Sequence, residues 1–513
     1  MIEKADVNMS NFLSKLNDKT SLGLIAALGF AVRLLGITTR PIWYDEAFSV
    51  LFSEKGPAAM IRGTLSLDIN GAAAEPHPLA YYGLLWIWMK IFGESLFSVR
   101  MLSILAGVGC ILFSYWLLKA LFSTRIALLG ALGVALSPFQ VHYSQEVRMY
   151  ALLALALTGA TFAIWQGINT SQRRWWVLFA VCVALAEYTQ DLAAVYVVPL
   201  ALTPLLLRRW DKVKMTFLAG LGALLLYLPW LLQLPAQFAK LQNAYWVEKP
   251  TLRNIFTTLL SYVTNLPIDD HWIWLAVLAT LVVTVIAAYQ TFLALKNNRP
   301  GARRGAWLAY LAFAPATLMF VISQWKSVYI ERALLPSGVM FWLWMAWALT
   351  ATGLPRSMRT INFGLLGAAI VLGLVMHLTY TGFPYGPYAA ADASLKSRFA
   401  TGDVILHSNK LSVLPAIYYD RNLEQHFIAD PPGSVTDTLA PVTQQVLGIQ
   451  ATDSLETATR NASHVWFIIF QQSIDEAVAA KLPTHPQITW LDEHFHRQQI
   501  ETWGSLVIYE YKR

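Results

Sequence analysis

Apolar stretches of near bilayer-spanning length alternate along this chain with short clusters of lysine and arginine, and that alternation constrains the fold more than any motif does. A helix needs about 20 predominantly apolar residues to cross the hydrocarbon core. Segments of that kind fit at about 22–38, 97–118, 126–143, 148–166, 175–189, 191–207, 215–233, 273–295, 305–323, 333–352 and 360–380. Between them lie Lys119 with Arg125, Arg173-Arg174, Arg208-Arg209 with Lys212 and Lys214, the run from Lys296 to Arg304, and Arg356 with Arg359. Short basic loops stay on the cytoplasmic side. With about eleven spans every cluster falls inside and the C-terminal region falls outside.

Parity closes only if 79–92 is not a span. That stretch is short for crossing, and its Tyr81, Tyr82, Trp86 and Trp88, with Lys90 near the end, suit the headgroup layer. The join near Glu187 and Asp191 is also open to one long tilted helix that would bury both acids. The outer face then carries three long pieces, at about 38–97, 234–272 and beyond 380, and two short turns at 137–148 and 323–332. Hydrophobic residues make up 56% of the chain and charged ones 13%, about half the charge share of a soluble protein. The formal charge of +7 therefore orients loops and implies no nucleic-acid partner. Cys110 and Cys182 lie within apolar runs, which argues against a disulfide framework. Residues 1–20 read as a cytoplasmic tail before an uncleaved first span.

After Phe383-Pro384-Tyr385-Gly386-Pro387 the composition changes, and 383–513 reads as an extracytoplasmic α/β domain. Strands are predicted at 402–406, 464–470 and 503–511, with a helix at 473–480. Its bland reading is a cap without chemistry of its own.

The outer pieces gather acids, histidines and arginines from distant positions. Asp45-Glu46 stand one short turn beyond the first span, after Trp43-Tyr44. Glu75-Pro76-His77-Pro78 precede the interfacial segment, and Arg100 begins the second span. The turn after the third span holds His142, Glu146 and Arg148, and the turn at 323–332 holds Lys326, Glu331 and Arg332. Arginine and histidine at a membrane edge suit a lipid phosphate, and a nearby carboxylate suits removal of a proton from an attacking hydroxyl or amine. Singly, charged residues at span ends are ordinarily anchors or caps. That reading is the leading one for Lys326, Glu187 and Asp191, and His142 and His271 read first as hydrogen-bonded interfacial residues. Asp269-Asp270-His271 lacks a ligand partner at recognisable spacing, so no metal site is expected.

In these motifs the chain resembles the polyprenyl-phosphate-sugar glycosyltransferases, a superfamily that includes the protein O-mannosyltransferases and the lipid A aminoarabinose transferase. The resemblance covers about 20–380. It rests on Trp43-Tyr44-Asp45-Glu46, on Glu75-x-His77-Pro78-x-x-Tyr81-Tyr82 and on Phe97-Ser98-Val99-Arg100-Met101-Leu102-Ser103. Ser144-Gln145-Glu146-Val147-Arg148-Met149-Tyr150 and Glu331-Arg332-Ala333-Leu334-Leu335-Pro336 continue it. The resemblance implies a polytopic α-helical membrane protein of the C-type glycosyltransferase fold, with a transmembrane domain at 21–382 whose first outer loop, 38–96, carries juxtamembrane helices. It implies a sugar donor on a polyprenyl phosphate, an extracytoplasmic acceptor (glycan, lipid or protein), inverting transfer and no cofactor. Asp45 would be the base, with Glu46 beside it for acceptor positioning or polarity. His77, Arg100, Arg148 and Arg332 would serve the donor phosphate or form structural ion pairs around it, with Glu75, Glu146 and Lys326 around the substrate and Tyr81 and Tyr82 along the lipid-facing cleft. Where the family has a second proline after the histidine this chain has Leu79, and where it commonly has tyrosine after Glu-Arg it has Ala333. Both departures bear on substrate more than on reaction.

Three other readings share the spans. A transporter of polyprenyl-linked lipids would place ionisable groups near the bilayer midplane, where this chain has few. Another envelope transferase, such as an O-antigen ligase or a phosphoethanolamine-type enzyme, is the second; the latter would want a zinc site. A structural assembly subunit is the third. The compartment expected is a bacterial inner membrane, with the active side facing the periplasm or exterior.

Overall fold

A computed structural model describes residues 17–67, 74–75, 77–243, 247–431 and 438–513. The expected tail therefore falls, for 1–16, outside the described residues, as do 68–73 and Pro76 of the first outer loop, 244–246 of the second and 432–437 of the C-terminal region. The chain forms two compact units: Met1–Leu35 with Arg100–Pro229 and Val247–Thr379, and Gly36–Val99 with Trp230–Trp246 and Tyr380–Arg513.

The first unit is helical. Each of the eleven apolar runs has a helix, and among the described residues seven helices are long and apolar enough to cross a membrane: Leu96–Leu121, Tyr150–Thr170, Trp210–Leu231, Asp270–Lys296, Ala302–Ile322, Glu331–Thr350 and Arg356–Thr379. Thr124–Leu136 and Pro138–Ser144 form a pair bent by 56°, an eighth if counted as one span. The helices Asp18–Leu34 and Arg173–Thr189 stop at 17 residues, and Asp191–Leu206 is a shorter apolar piece. Arg173–Thr189 ends before a 3-10 turn at Asp191–Ala193, so two separate helices replace the single tilted one.

Burial separates inner helices from peripheral ones. The apolar window of Glu331–Thr350 is 94% buried and that of Tyr150–Thr170 83%, against 28% for Asp270–Lys296 and Arg356–Thr379. Apolar side chains that remain uncovered on the latter are what a lipid-facing helix presents. The inner helix carries Trp342, Trp344 and Trp347, and buried indoles need acceptors. The Trp342 indole N–H donates to the Tyr262 carbonyl at 2.9 Å and that of Trp344 to the Thr291 hydroxyl at 2.9 Å. Close helix approach depends on glycine at two places. A Cβ on Gly305 would enter the Trp347 ring, and one on Gly373 would strike the Thr264 carbonyl oxygen.

The second unit is built on a six-stranded sheet of order β3-β2-β1-β4-β6-β5. Its strands are β1 (Asp403–His407), β2 (Gln425–Ile428), β3 (Ala451–Thr452), β4 (His464–Phe470), β5 (His496–Trp503) and β6 (Leu506–Lys512). The first four are parallel, and β6 and β5 close the sheet as an antiparallel hairpin. Central β4 is buried from Val465 through Phe470, as a strand covered on both faces must be. The predicted terminal strand is corrected here: Trp503 ends β5, the chain turns at Gly504 (φ +58°), and the last strand starts at Leu506. The helix expected at 473–480 is Gln471–Ala479. Three helices of the first outer loop, Tyr44–Glu54, Pro57–Leu65 and Ala80–Phe92, belong to this unit. At 13 residues Ala80–Phe92 is too short to cross, as its aromatic content implied.

Candidate active site

The residues picked from the sequence divide between the two units. Asp45 and Glu46 occupy the first turn of Tyr44–Glu54, where the exposed N–H groups and the positive end of the helix dipole favour carboxylates. Trp43 precedes the helix in extended conformation, and its carbonyl accepts the first helical bond, from the Ala47 N–H at 2.9 Å. Glu46 is fully buried while Asp45 keeps part of its surface open. One turn on, the Ser49 hydroxyl donates to the Asp45 carbonyl at 2.9 Å. The acidic turn is thereby held by bonds to the Trp43 and Asp45 carbonyls.

Helix Ala80–Phe92 packs Tyr82 edge-on against Phe48 and Phe52, with ring centroids 6.2 and 5.2 Å apart, so the aromatic face of the acid-bearing helix is locked. Tyr81 and Tyr82 are both buried. Just before this helix the His77 Nδ1–H and its backbone N–H both point to Glu75 Oε1, the first through a short contact and the second at 3.3 Å. Glu75 is buried and His77 half-buried, so the pair sits at the edge of the unit's interior.

The C-terminal region supplies residues that the sequence did not mark. Helix Lys410–Tyr419 packs against Tyr44–Glu54. The Lys410 ammonium lies 5.7 Å from the centre of the Tyr44 ring, within cation–π range. The Ile42 N–H donates to the Tyr419 hydroxyl at 3.2 Å, and Arg421 pairs with Glu54 at 2.8 Å. A lysine 365 positions from the acid pair carries no local spacing that would reveal this.

In the helical unit, the segment after the bent pair collects the other candidates. Arg148 and Arg100 are buried. The Ser103 hydroxyl, one turn beyond Arg100, donates to the Arg148 carbonyl at 3.4 Å. Arg332 stacks over Tyr150 at 5.4 Å, and Tyr150 in turn meets Tyr143 edge-on at 5.5 Å. The Glu331 carboxylate accepts from the Thr257 hydroxyl at 2.6 Å. Lys326 is half-buried in the loop before it.

Around His142 the polar network closes tightly. The Asn265 amide donates to Nδ1 at 2.9 Å, which leaves Nε2–H to donate to Glu146 Oε1 at 3.1 Å. His377 lies beside this ring at 4.6 Å and donates from Nε2 to Gln145 Oε1 at 2.7 Å. The second oxygen of Glu146 is buried and has no hydrogen-bond partner among the described residues, an acceptor suited to a hydroxyl or amine. His142 thus takes the hydrogen-bonded position first expected of it. His377, near the end of the last apolar run, was missed because a lone histidine there reads as a helix-end residue.

Beneath this network Arg33 is fully buried. It donates to the carbonyls of Gly29 at 2.9 Å, Ala135 at 2.8 Å and Val134 at 3.3 Å, and to the Ser144 hydroxyl at 3.2 Å. Pro138 breaks the helix at this level, and the guanidinium serves the carbonyls the break releases.

With this geometry in place, three comparisons bear on the chain. Residues 76–232 match the family described as dolichyl-phosphate-mannose-protein mannosyltransferase. The undecaprenyl phosphate-alpha-4-amino-4-deoxy-L-arabinose arabinosyl transferase of Pseudomonas aeruginosa is 28% identical over 222 residues, 42% of this chain and 39% of the relative. The match thus spans about two fifths of that relative's length. Among solved structures, apo ArnT from Cupriavidus metallidurans superimposes with a TM-score of 0.61 at 13% identity, over 95% of this chain and 97% of that one. The apo oligosaccharyltransferase of Archaeoglobus fulgidus gives 0.56 at 13% identity, over 94% and 73%. Likeness across nearly the whole of this chain establishes one architecture.

Proposed function

We propose that this chain, a C-type membrane glycosyltransferase in fold and similar to the protein mannosyltransferases and ArnT, transfers a sugar from a polyprenyl phosphate to an extracytoplasmic acceptor. The observation that carries the reading is the placement of Asp45-Glu46 on the first turn of a helix, in a fold whose relative ArnT has been solved bound to undecaprenyl phosphate. The membrane is a bacterial inner membrane in this reading, with the acidic turn facing the periplasm or exterior. Residues 21–382 form the transferase domain, and 383–513 the domain beyond it.

The acceptor's hydroxyl or amine attacks the anomeric carbon, and the bond from that carbon to the phosphate oxygen breaks. The electron pair leaves on the lipid phosphate, and the acceptor's proton passes to Asp45. Charge grows on the phosphate as the bond lengthens, so cations already in position stabilise the transition state more than the ground state. Arg100, Arg148 and Arg332 are the groups assigned to that task, His77 with Glu75 to the donor's edge, and Glu146 and Lys326 to the sugar or acceptor. One arginine contributing about 3 kcal/mol is worth over a hundredfold in rate. No nucleotide is required, because the phosphate ester already holds a leaving group.

The test is incubation of the purified protein in nanodiscs with undecaprenyl-phosphate-linked aminoarabinose and, separately, mannose, scoring release of the lipid phosphate. Asp45→Asn should bind lipid and abolish release; release at wild-type rate removes Asp45 from the mechanism. Arg332→Ala should raise the KM for donor more than that for acceptor, and equal effects on both count against a phosphate role.

A further inference from the structure

Asn265 ends the helix Leu252–Thr264 in left-handed backbone (φ +62°), a conformation asparagine accepts more readily than most residues. Its side chain is buried. The amide nitrogen donates to two acceptors, the Leu266 carbonyl at 3.1 Å and His142 Nδ1 at 2.9 Å. A carbonyl can only accept, so the Leu266 contact fixes which end of the amide is the NH2 group. That NH2 group requires a lone pair on Nδ1, and the ring proton therefore belongs to Nε2. From there it goes to Glu146 Oε1 at 3.1 Å.

The relay thus runs in one direction, from Asn265 through His142 to Glu146. It occupies one carboxyl oxygen and fixes the rotation of the group. The other oxygen, Oε2, is buried with no hydrogen-bond partner among the described residues. A buried acceptor without a donor is costly in the free protein and rewards a ligand that brings one. Aromatic rings join these surroundings to the cation assigned to the donor phosphate. His142 stacks on Tyr143 at 4.6 Å, Tyr143 meets Tyr150 edge-on at 5.5 Å, and Arg332 stands over Tyr150 at 5.4 Å. The Tyr143 hydroxyl feels the charges of both Glu146 and Arg332, so acid and cation flank one side chain.

We propose that Asn265 is a positioning residue for the donor's sugar: acting through His142, it holds Glu146 so that Oε2 accepts from a hydroxyl or amine on that sugar. The proposal rests on the transferase reading, with Arg332 at the phosphate. A sugar is bonded directly to its phosphate, so a phosphate held at Arg332 brings the sugar ring along these tyrosines to Glu146. The direction of the relay decides what the sugar meets, because reversing any one bond in it turns the wrong group toward the substrate.

Equilibrium binding to the full-length protein in nanodiscs tests this without turnover, read by quenching of tryptophan fluorescence. The probes are undecaprenyl phosphate and its mannose-linked and aminoarabinose-linked forms. Asn265→Asp offers Nδ1 only acceptors, so the ring proton moves to Nδ1 and Glu146 Oε1 faces a lone pair. Glu146→Gln keeps an oxygen on the Nε2–H and turns an NH2 group toward the sugar. In the double variant the relay runs backwards: the introduced amide donates to Nε2, and its carbonyl oxygen faces the sugar. Each single variant should weaken a sugar-bearing lipid roughly tenfold or more and leave bare undecaprenyl phosphate unchanged, and the double variant should recover most of the loss. Equal loss for the bare lipid, a double variant no better than the singles, or a wild type that gains nothing from either sugar overturns the proposal. The 15N resonances of His142 add a readout free of ligand, with the proton on Nε2 in the wild type and on Nδ1 in Asn265→Asp; a proton on Nδ1 in the wild type, or one that the variant does not move, also overturns it. If the wild type releases no lipid phosphate the transferase reading fails by itself, and the binding and ring-proton results still decide the role of Asn265.

Discussion

Asp392 offers a quantitative check on how the second unit is assembled. It lies on the helix Tyr388–Arg398, is 3% exposed, and one carboxyl oxygen has no hydrogen-bond partner among the described residues. Burial pushes its pKa up from 3.8 to about 8, the Asp420 carboxylate adds to the rise, and the Gln425 amide opposes it. The folded protein then holds a proton that the unfolded chain releases. For a group raised in this way stability is complete below about pH 3.8 and falls as pH climbs toward about 8. At about 1.4 kcal/mol per pKa unit the loss by pH 7 has a ceiling of about 4 kcal/mol, and relaxation around the carboxyl brings it toward about 2.

Asp392→Asn replaces the neutral acid by a neutral amide of the same shape and removes this dependence. The expected result is slower opening of the sheet at pH 7 by roughly thirtyfold or more, a factor of ten for each 1.4 kcal/mol. Hydrogen exchange of the β1 and β4 amides in the intact protein, followed from pH 5 to 9 after correction for intrinsic rates, measures it. Wild-type protection should decline with rising pH while the variant's profile stays flatter. His407 acts with the opposite sign: burial pulls its pKa from 6.5 to about 4, so its contribution is present above about pH 6.5 and lost as pH falls toward 4. Its effect on both proteins is therefore confined to the acid side. Parallel profiles for wild type and Asp392→Asn above pH 6.5 would refute the argument.

Two further substitutions probe the helical unit. Arg33→Met leaves the released carbonyls at Val134 and Ala135 without their donor; at about 1–3 kcal/mol for each unsatisfied buried group, thermal unfolding in detergent should show a loss of at least about 2 kcal/mol, with Arg33→Lys recovering part. An unchanged midpoint would mean that water reaches the break. Gly373→Ala forces a methyl group against the Thr264 carbonyl and should cost about 1–3 kcal/mol by overpacking. Wild-type stability for that variant would mean the two helices part readily.

The membrane part of the fold was legible because period and length act there without competition. A run such as 333–352 has one available structure in lipid, and the helix found, Leu335–Thr350, is displaced only at its start by a 3-10 turn. The C-terminal sheet was half legible. β4 announces itself as a buried apolar run, whereas β5 reads His-Arg-Gln-Gln-Ile-Glu-Thr-Trp and is exposed along most of its length, so no alternation marks it. β2 and β3, at four and two residues, are set by pairing with β1 and with each other rather than by their own pattern. In the candidate site the acids and arginines stood out as polar residues in apolar surroundings. Tyr419 and His377 did not, since their partners lie far away in sequence.

The candidate groups share one structural circumstance: they stand where regular backbone is interrupted. Asp45 and Glu46 open a helix, Glu146 and Arg148 follow the bent pair, and Arg332 lies in a 3-10 turn. Each interruption frees N–H or carbonyl groups, which lipid cannot satisfy. The chain therefore has to seal these places with buried side chains, and it does so at the kink with the Arg33 guanidinium and with Gln145, whose amide donates to the Arg33 and Leu35 carbonyls at 2.9 and 2.7 Å while its oxygen accepts from the His377 Nε2–H. The same bonds that satisfy broken backbone fix Ser144, His142 and Glu146 in place. Pre-organisation of polar groups at a membrane edge is thus a consequence of breaking helices inside an apolar solvent, and a substitution that loosens a seal such as Gln145→Leu should disturb the geometry of His142 and Glu146 before it unfolds the bundle.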